Sequence, residues 1–336
     1  MKDVALVANV SIATVTRVIN NTGYVSQQTR ANVERVIEEL DYVPNKMAGI
    51  LKSHTSGILG NIILATNGNP FVLTVSEAIA LSASSIGYHI LTVLSDNELN
   101  SERDLMNDLM GRMVDGIILT GGVDSNPKDI QAIINRGIPV IMVERPLTVL
   151  GADSVLLDSF GGAAMAADHI LSRGHRTIGF IGRERIGSVE IDRFEGFAQT
   201  LALHKLPLIE ANCRFTDEYD PDQGYEAIKT MLKGKHRPTA VFITSDVTAS
   251  GAMQYLYEQG IRVPDDISIV GYDNTFSAMT APPITTIALP INEIGKTTIQ
   301  LFAERKLEGR KTAKSVTLSP SLLDRGTVCQ YKRNRT

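Results

Sequence analysis

Five side chains at helical spacing, Ile12, Ala13, Thr16, Arg17 and Asn20, have the chemistry to read the edges of DNA bases. Ala13, Arg17 and Asn20 recur at i, i+4 and i+7, so a helix would present them on one face. From there the Arg17 guanidinium could donate two hydrogen bonds to guanine O6 and N7, while Ile12 and the Ala13 methyl meet a thymine methyl. The opposite face carries Val15, Val18 and Ile19, which suit packing on Val4, Ala5 and Ala8 just upstream. Two short helical patterns, 2–8 and 12–20, flank a turn at Asn9-Val10-Ser11, with Ser11 placed as an N-cap. That spacing lets two helices cross steeply and one enter a major groove, as in a helix-turn-helix. Two ordinary helices of a bundle, with Arg17 merely solvated, would share the pattern.

A second group of polar residues follows short apolar runs: Asn67-Gly68-Asn69-Pro70-Phe71, Gly121-Gly122, Glu144-Arg145, Asp158, Ser245-Asp246 and Gly271-Tyr272-Asp273-Asn274. In open α/β sheets ligands meet the carboxyl ends of the strands, which is where these residues would fall. Carboxylates repeated at strand ends, with Arg193 at a helix start, form a polar ring able to grip several hydroxyls. Tyr219 adds a flat face of the kind that covers the apolar side of a sugar. Asp158 and Asp246 precede helical patterns and suit N-caps as well.

The elements that must position these residues change character along the chain. After the first two helices, Ser26 caps a third whose stripe is Val33, Val36, Ile37 and Leu40, and 41–44 stop it. Residues 45–53 are shorter than the ~12–15 that an isolated helix needs in water, so they would fold only against something. Beyond 54–57, apolar strands (59–65, 89–93, 116–119, 139–143, 154–157, 178–181, 240–243 and 267–270) alternate with helical patterns. The helices fall near 75–86, 102–113, 130–135, 162–172, 193–203, 224–232 and 250–259. Such alternation predicts parallel sheets covered on both faces, and its length suits two lobes.

Charge and composition narrow the function. The net charge is −4, yet residues 1–53 carry +1 and the remainder −5. DNA affinity is then expected to come more from base contacts and dimerisation than from bulk charge, with a moderate salt slope. No Gly-x-Gly-x-x-Gly follows a strand, no phosphate-binding Gly-Lys-Ser/Thr loop occurs, and neither the six histidines nor Cys213 and Cys329 show metal or redox spacing. An enzyme, a cofactor and a metal site are therefore not expected. Without a signal peptide or an apolar run of membrane-spanning length, the chain reads as a soluble cytoplasmic protein with no membrane partner.

In combination, Lys2-Asp3-Val4-Ala5, Val10-Ser11, Ala13-Thr14-Val15-Thr16-Arg17-Val18-Ile19-Asn20, Val25-Ser26, Thr29-Arg30, Tyr42-Val43-Pro44-Asn45, Ala48 and Leu51-Lys52 resemble the lactose/purine repressor family of bacterial transcription regulators. The resemblance implies an α/β protein with an N-terminal all-α helix-turn-helix domain (1–44), a hinge helix and linker (45–56), and a two-lobed core like periplasmic sugar-binding proteins (57–336). Its N-lobe would comprise about 57–159 and 290–320, and its C-lobe about 160–289 and 321–336. DNA contacts would come from Ser11, Ile12, Ala13, Thr14, Thr16, Arg17, Asn20, Tyr24, Ser26, Thr29 and Arg30, and from Asn45, Ala48, Leu51 and Lys52 of the hinge. Leu51 would wedge open a central base step, although it could instead simply anchor the linker. The matched effector positions are Phe71, Glu144, Asp158, Arg193, Tyr219, Ser245, Asp246 and Asp273.

What the resemblance implies is a homodimer on a near-palindromic operator, controlled by a small molecule between the lobes. That effector is expected to be a sugar acting as inducer, with a purine or nucleoside co-repressor, or a solute sensor that binds no DNA, as alternatives. The tail 330–336 lacks a leucine heptad, favouring a dimer over a tetramer. Three departures stand out: Ser245 replaces the Asn frequent in sugar-responsive members, and Gly49 sits mid-hinge, where it should weaken the helix by about 1 kcal/mol relative to Ala. Met1 also directly precedes Lys2, so the first helix should lack a cap, or the true start lies upstream.

Overall fold

The computed structural model describes residues 1–43, 55–64, 70–95, 99–121, 126–145, 151–184 and 187–331. Two units emerge, Met1–Ser56 and Gly57–Thr336. The first holds α1 (Lys2–Val7), α2 (Ile12–Ile19) and α3 (Gln27–Glu39). Helices α1 and α2 are too short to persist alone, so packing must hold them. It does so through Val4, Ala5, Ala8, Val15, Val18, Val33 and Val36, all buried together. Serines set two of the starts: Ser11 Oγ accepts from the Thr14 N–H at 3.1 Å, and Ser26 Oγ from the Thr29 N–H at 3.2 Å. Helix α1 has no side-chain cap. Asn32 Nδ2 donates to the Ala8 carbonyl at 2.9 Å, pinning α3 to the end of α1. Leu40, expected in the α3 stripe, is 43% exposed, because it lies at the C-cap, where the helix has already ended.

The second unit contains two six-stranded sheets. Sheet one is built from β1 (Ile58–Leu64), β2 (His89–Ser95), β3 (Gly116–Thr120), β4 (Val140–Val143), β5 (Asp153–Leu157) and β11 (Ser315–Leu318). Their order is β11-β5-β4-β3-β1-β2, all parallel. Sheet two takes β6 (Ile178–Arg183), β7 (Cys213–Thr216), β8 (Ala240–Ile243), β9 (Ser268–Asp273), β10 (Thr285–Ala288) and β12 (Ser321–Leu323). Here the order is β12-β10-β9-β8-β6-β7, parallel except for β12, which runs antiparallel to β10. Central strands β3, β4, β8 and β9 are buried along their whole length, as parallel strands covered on both faces must be.

Helices α4 (Phe71–Ser85), α5 (Leu99–Gly111), α6 (Pro127–Asn135) and α11 (Ile291–Lys306) accompany sheet one. Helices α7 (Ser159–Ser172), α8 (Ser188–Leu203), α9 (Pro221–Leu232) and α10 (Asp246–Glu258) accompany sheet two. The chain passes between sheets three times: from β5 into α7, from β10 into α11, and from β11 into β12. Helix α8 lies so close to α7 that a Cβ on Gly196 would stand 2.2 Å from the Phe160 carbonyl oxygen. Only glycine permits that approach, and it fixes the height of Arg193 one turn earlier.

Elements β7, β10, β11, β12 and α11 go beyond the strands and helices legible in the sequence. Three of these strands sit at sheet edges, where all their residues but Thr216 are exposed or half-buried, so they lack a long apolar run. Strand β10 is buried but opens with two threonines, whose hydroxyls Asp324 and Asp246 satisfy.

Candidate functional site

Within the first unit, the face of α2 turned away from the core leaves Ile12, Ala13, Arg17 and Asn20 exposed. Thr16 is half-buried, its hydroxyl donating to the Ile12 carbonyl at 2.9 Å. Tyr24 is 91% exposed, one of several large apolar side chains left on the surface. The hydroxyls of Ser11 and Thr14 bond each other at 2.9 Å, and those of Ser26 and Thr29 at 2.8 Å, so all four serve the helix starts. Arg30 is half-buried and reaches the Val18 carbonyl at 3.4 Å and Glu34 at 3.8 Å. Among the expected DNA contacts that fall in the described residues, Arg17 is thus the exposed cation. Asn45, Ala48, Gly49, Leu51 and Lys52 lie outside the described residues, as do Asn67, Gly68, Asn69 and Gly122.

In the second unit, residues following β4, β5, β8 and β9 meet the N-terminal part of α8. Arg193 is the centre. Its side chain is 3% exposed, donates to the Thr244 carbonyl at 2.8 Å, pairs with Asp273 at 3.4 Å, and lies over the Tyr272 ring at 3.9 Å from the centroid. Its Nε is buried without a hydrogen-bond partner. Asp273 ends β9 in the left-handed region at φ 95°, and Glu144 follows β4 at φ 56°, conformations costly for non-glycine residues and concentrated at functional sites. Burial pushes the Glu144 carboxyl up to about 7; Arg193 opposes this, and Asp273 and Glu190 add to it. Burial likewise raises Asp273 to about 6, with Arg193 opposing and Asp246 adding.

The remaining expected positions divide. Tyr219 joins the cluster: its hydroxyl lies 3.5 Å from Glu190, and Arg183 stands 5.9 Å from its ring centroid. Burial raises its pKa further above the ordinary tyrosine range. Ser245 is fully buried and caps α10 through the Val247 N–H at 3.3 Å, and its hydroxyl favours the ionised form of Asp273. Phe71 opens α4 and is buried. Asp158 caps α7 through the Gly161 N–H at 2.7 Å, with one carboxylate oxygen left over. Asp246 is spent internally, one oxygen on the Thr286 hydroxyl at 2.8 Å and the other on the Thr275 N–H at 2.9 Å. Its role is to hold the β9–β10 loop, which keeps Asp273 in place.

Two residues join the cluster that the sequence did not single out, Glu190 and Arg183, and Tyr272, named there only within the run that closes β9, takes a definite place in it. Glu190 sits one helical turn before Arg193, a spacing that places both on one face of α8. Arg183, at the end of β6, bridges Glu190 at 3.6 Å and Glu218 at 3.1 Å. Tyr272 is the floor beneath the Arg193 guanidinium.

The raised carboxyl of Glu144 has a consequence for stability. Between an ordinary carboxyl pKa and the raised one, the folded state holds more protons than the unfolded, so this group's contribution is present at low pH and lost as pH rises through about 7. Glu144→Gln is therefore expected to gain stability over the parent as pH rises from about 5 to 8, at about 1.4 kcal/mol per pKa unit removed. Paired thermal melts across that range check it; a difference that is flat or shrinks with pH would refute it.

A helix-turn-helix joined to two sugar-binding-protein-like lobes with a buried charged clamp is the build of a bacterial transcription regulator. Comparison with known proteins agrees. Residues 1–45 match the model of the bacterial regulatory proteins of the lacI family, and 167–328 that of the periplasmic binding protein-like domain. The chain is 34% identical to the HTH-type transcriptional regulator DegA of Bacillus subtilis, over 96% of each chain. It is 31% identical to the ribose operon repressor of Haemophilus influenzae, over 99% of each. With the HTH-type transcriptional repressor PurR of Yersinia pestis it shares 33%, over 98% of this chain and 96% of that one. Among solved structures, the lac repressor dimer bound to operator and the anti-inducer ONPF superposes with a TM-score of 0.84 at 26% identity, covering 97% of this chain and 98% of that one. A lacI-family regulator from Enterococcus faecium with bound ribose gives 0.72 at 27%, covering 82% and 100%. The chain belongs to the lacI family of bacterial regulatory proteins, which are DNA-binding regulators rather than enzymes. Among the described residues no helix is long and apolar enough to cross a membrane.

Proposed function

We propose that this chain is a cytoplasmic repressor that binds a near-palindromic operator as a homodimer and is released when a sugar or sugar derivative enters the cleft between its lobes. One recognition helix would serve each half-site, with Ile12, Ala13, Thr16, Arg17, Asn20 and Tyr24 facing DNA and Leu51 of the hinge entering the minor groove. The observation that carries the effector reading is the unpartnered Nε of buried Arg193, set among Glu144, Asp273 and the rings of Tyr272 and Tyr219. Such a group orients hydroxyls by hydrogen bonds and covers an apolar ring face. The Haemophilus relative's ribose operon and the ribose bound in the Enterococcus structure support a sugar. A ligand that prefers one degree of lobe closure shifts operator affinity by the same coupling energy that operator exerts on the ligand, typically about 1–3 kcal/mol.

Thermal shift across unphosphorylated sugars, sugar phosphates, purine bases and nucleosides tests this. At least one sugar is expected to raise the melting temperature and to release a selected operator. Stabilisation by purines alone would overturn the sugar assignment and leave the repressor reading intact.

A further inference from the structure

Polar side chains buried against sheet one form a path of hydrogen bonds that runs from helix to helix. Asn61, in the middle of β1, is fully buried, and both ends of its amide are used. Its Nδ2 donates to the Ser76 hydroxyl on α4 at 2.9 Å, and its Oδ1 accepts from the Thr120 hydroxyl at the end of β3 at 3.0 Å. One residue on, the Gly121 carbonyl accepts from Nε of Arg145, which follows β4. Arg145 in turn pairs through Nη1 with Glu102, in the first turn of α5, at 2.7 Å, the two side chains being 3% and 8% exposed. The path thereby ties α4, β1, β3, β4 and α5 together through side chains.

A buried ion pair is a weak source of stability, because desolvating both charges offsets most of their attraction and an apolar pair of similar volume commonly holds a fold as well. What an apolar pair lacks is direction. The planar guanidinium fixes two acceptors at once, the carbonyl after β3 through Nε and the carboxylate of α5 through Nη1. The residue before Arg145 is Glu144, held at φ 56°, and at the far end of the path Ser76 lies on α4, which Phe71 opens. Glu144 and Phe71 are effector positions on the sheet-one side. We propose that Arg145 is a positioning residue of the effector site proposed above, on which this assignment rests: with Glu102 it fixes the ends of β3 and β4, and so the place of Glu144.

The test uses the full-length protein. In Glu102→Leu/Arg145→Leu both charges go, so neither is stranded, and melting is expected within a few degrees of the parent's. The Gly121 and Glu144 amides, which donate to the Val143 and Val155 carbonyls at 3.0 and 2.9 Å, report on the two strand ends. Their hydrogen exchange should quicken at least about tenfold, with β8 and β9 of sheet two unchanged. In titration calorimetry with ribose, glucose and adenosine, those that bind the parent should bind the double variant at least about tenfold more weakly. Arg145→Lys keeps a charge for Glu102 but not the fork, so it should fold as the parent does, with the same local rise in exchange and a smaller loss of binding. A pair that serves the fold alone predicts another split: an earlier melt and faster exchange across all of sheet one, with affinity unchanged below the melt. That result, or parental exchange at both amides in both variants, overturns the proposal. If none of the three probes binds the parent, the effector reading loses its support, and the exchange measurement still decides whether Arg145 holds the strand ends.

Discussion

Arg17→Ala lowers affinity for a selected operator by about 1–3 kcal/mol at each half-site, and the loss is concentrated on sequences with guanine at the contacted position. The α2 face carries Arg17 exposed, whereas Arg30 is held by the Val18 carbonyl and Glu34, and Arg35 by Asn32 and Glu39. A dimer repeats the loss in both half-sites, so the combined effect should exceed tenfold under any of these magnitudes. Fluorescence anisotropy on the operator and on variants changed at single base pairs separates the possibilities. A base-reading Arg17 relaxes discrimination at one position; a phosphate-contacting one weakens all sequences alike and reduces the salt slope by about one. The second pattern would remove Arg17 from the list of base readers. Folding of the variant is not at issue, because the core of this unit lies on the opposite face.

Arg193→Met has the larger effect on the second unit. It removes the donor from the cleft and strands Asp273, whose carboxyl is 2% exposed and has Arg193 as its ion-pair partner. Breaking one side of a buried pair costs about 3–5 kcal/mol, although Asp273 can recover part of this by taking up a proton, its pKa already being raised to about 6. The expected protein is folded, melts several degrees earlier, binds the operator within a few-fold of the parent and no longer responds to effector. Arg193→Lys keeps the charge but loses the planar fork and its stacking on Tyr272, so it should restore stability more than response. A Met variant that is released from operator at the parent's effector concentration would remove Arg193 from the binding site.

Much of this site and fold was legible because its signals are local. Ser11 and Ser26 announce helix starts by a single side-chain bond to a backbone N–H three residues on. Strands β3, β4 and β8 announce themselves as unbroken apolar runs. Asp273 stands at a strand end, a position that a βα alternation makes predictable, whereas Arg193, expected at a helix start, lies in the second turn of α8, which already begins at Ser188. What was not legible depends on neighbours distant in sequence. Strand β7 exists because it borrows the edge of β6, and β12 because β10 offers it an antiparallel partner. Whether an aspartate at a strand end faces a ligand or the protein is likewise decided elsewhere: Asp246 is claimed by Thr275 and Thr286, far along the chain. Glu190 could have been found from its three-residue spacing to Arg193, had the face of α8 rather than the strand ends been followed.

The three passages between the sheets restrict how the core can move. A pair of lobes joined by one strand could swivel, and joined by two could still twist. Three connections, from β5, β10 and β11, are expected to work together as a leaf hinge, bending in one direction while resisting sliding and rotation. A ligand that shifts lobe closure would then act through a single angle, and a lesion in any one connection is expected to blur the response before it reaches the stability of either lobe.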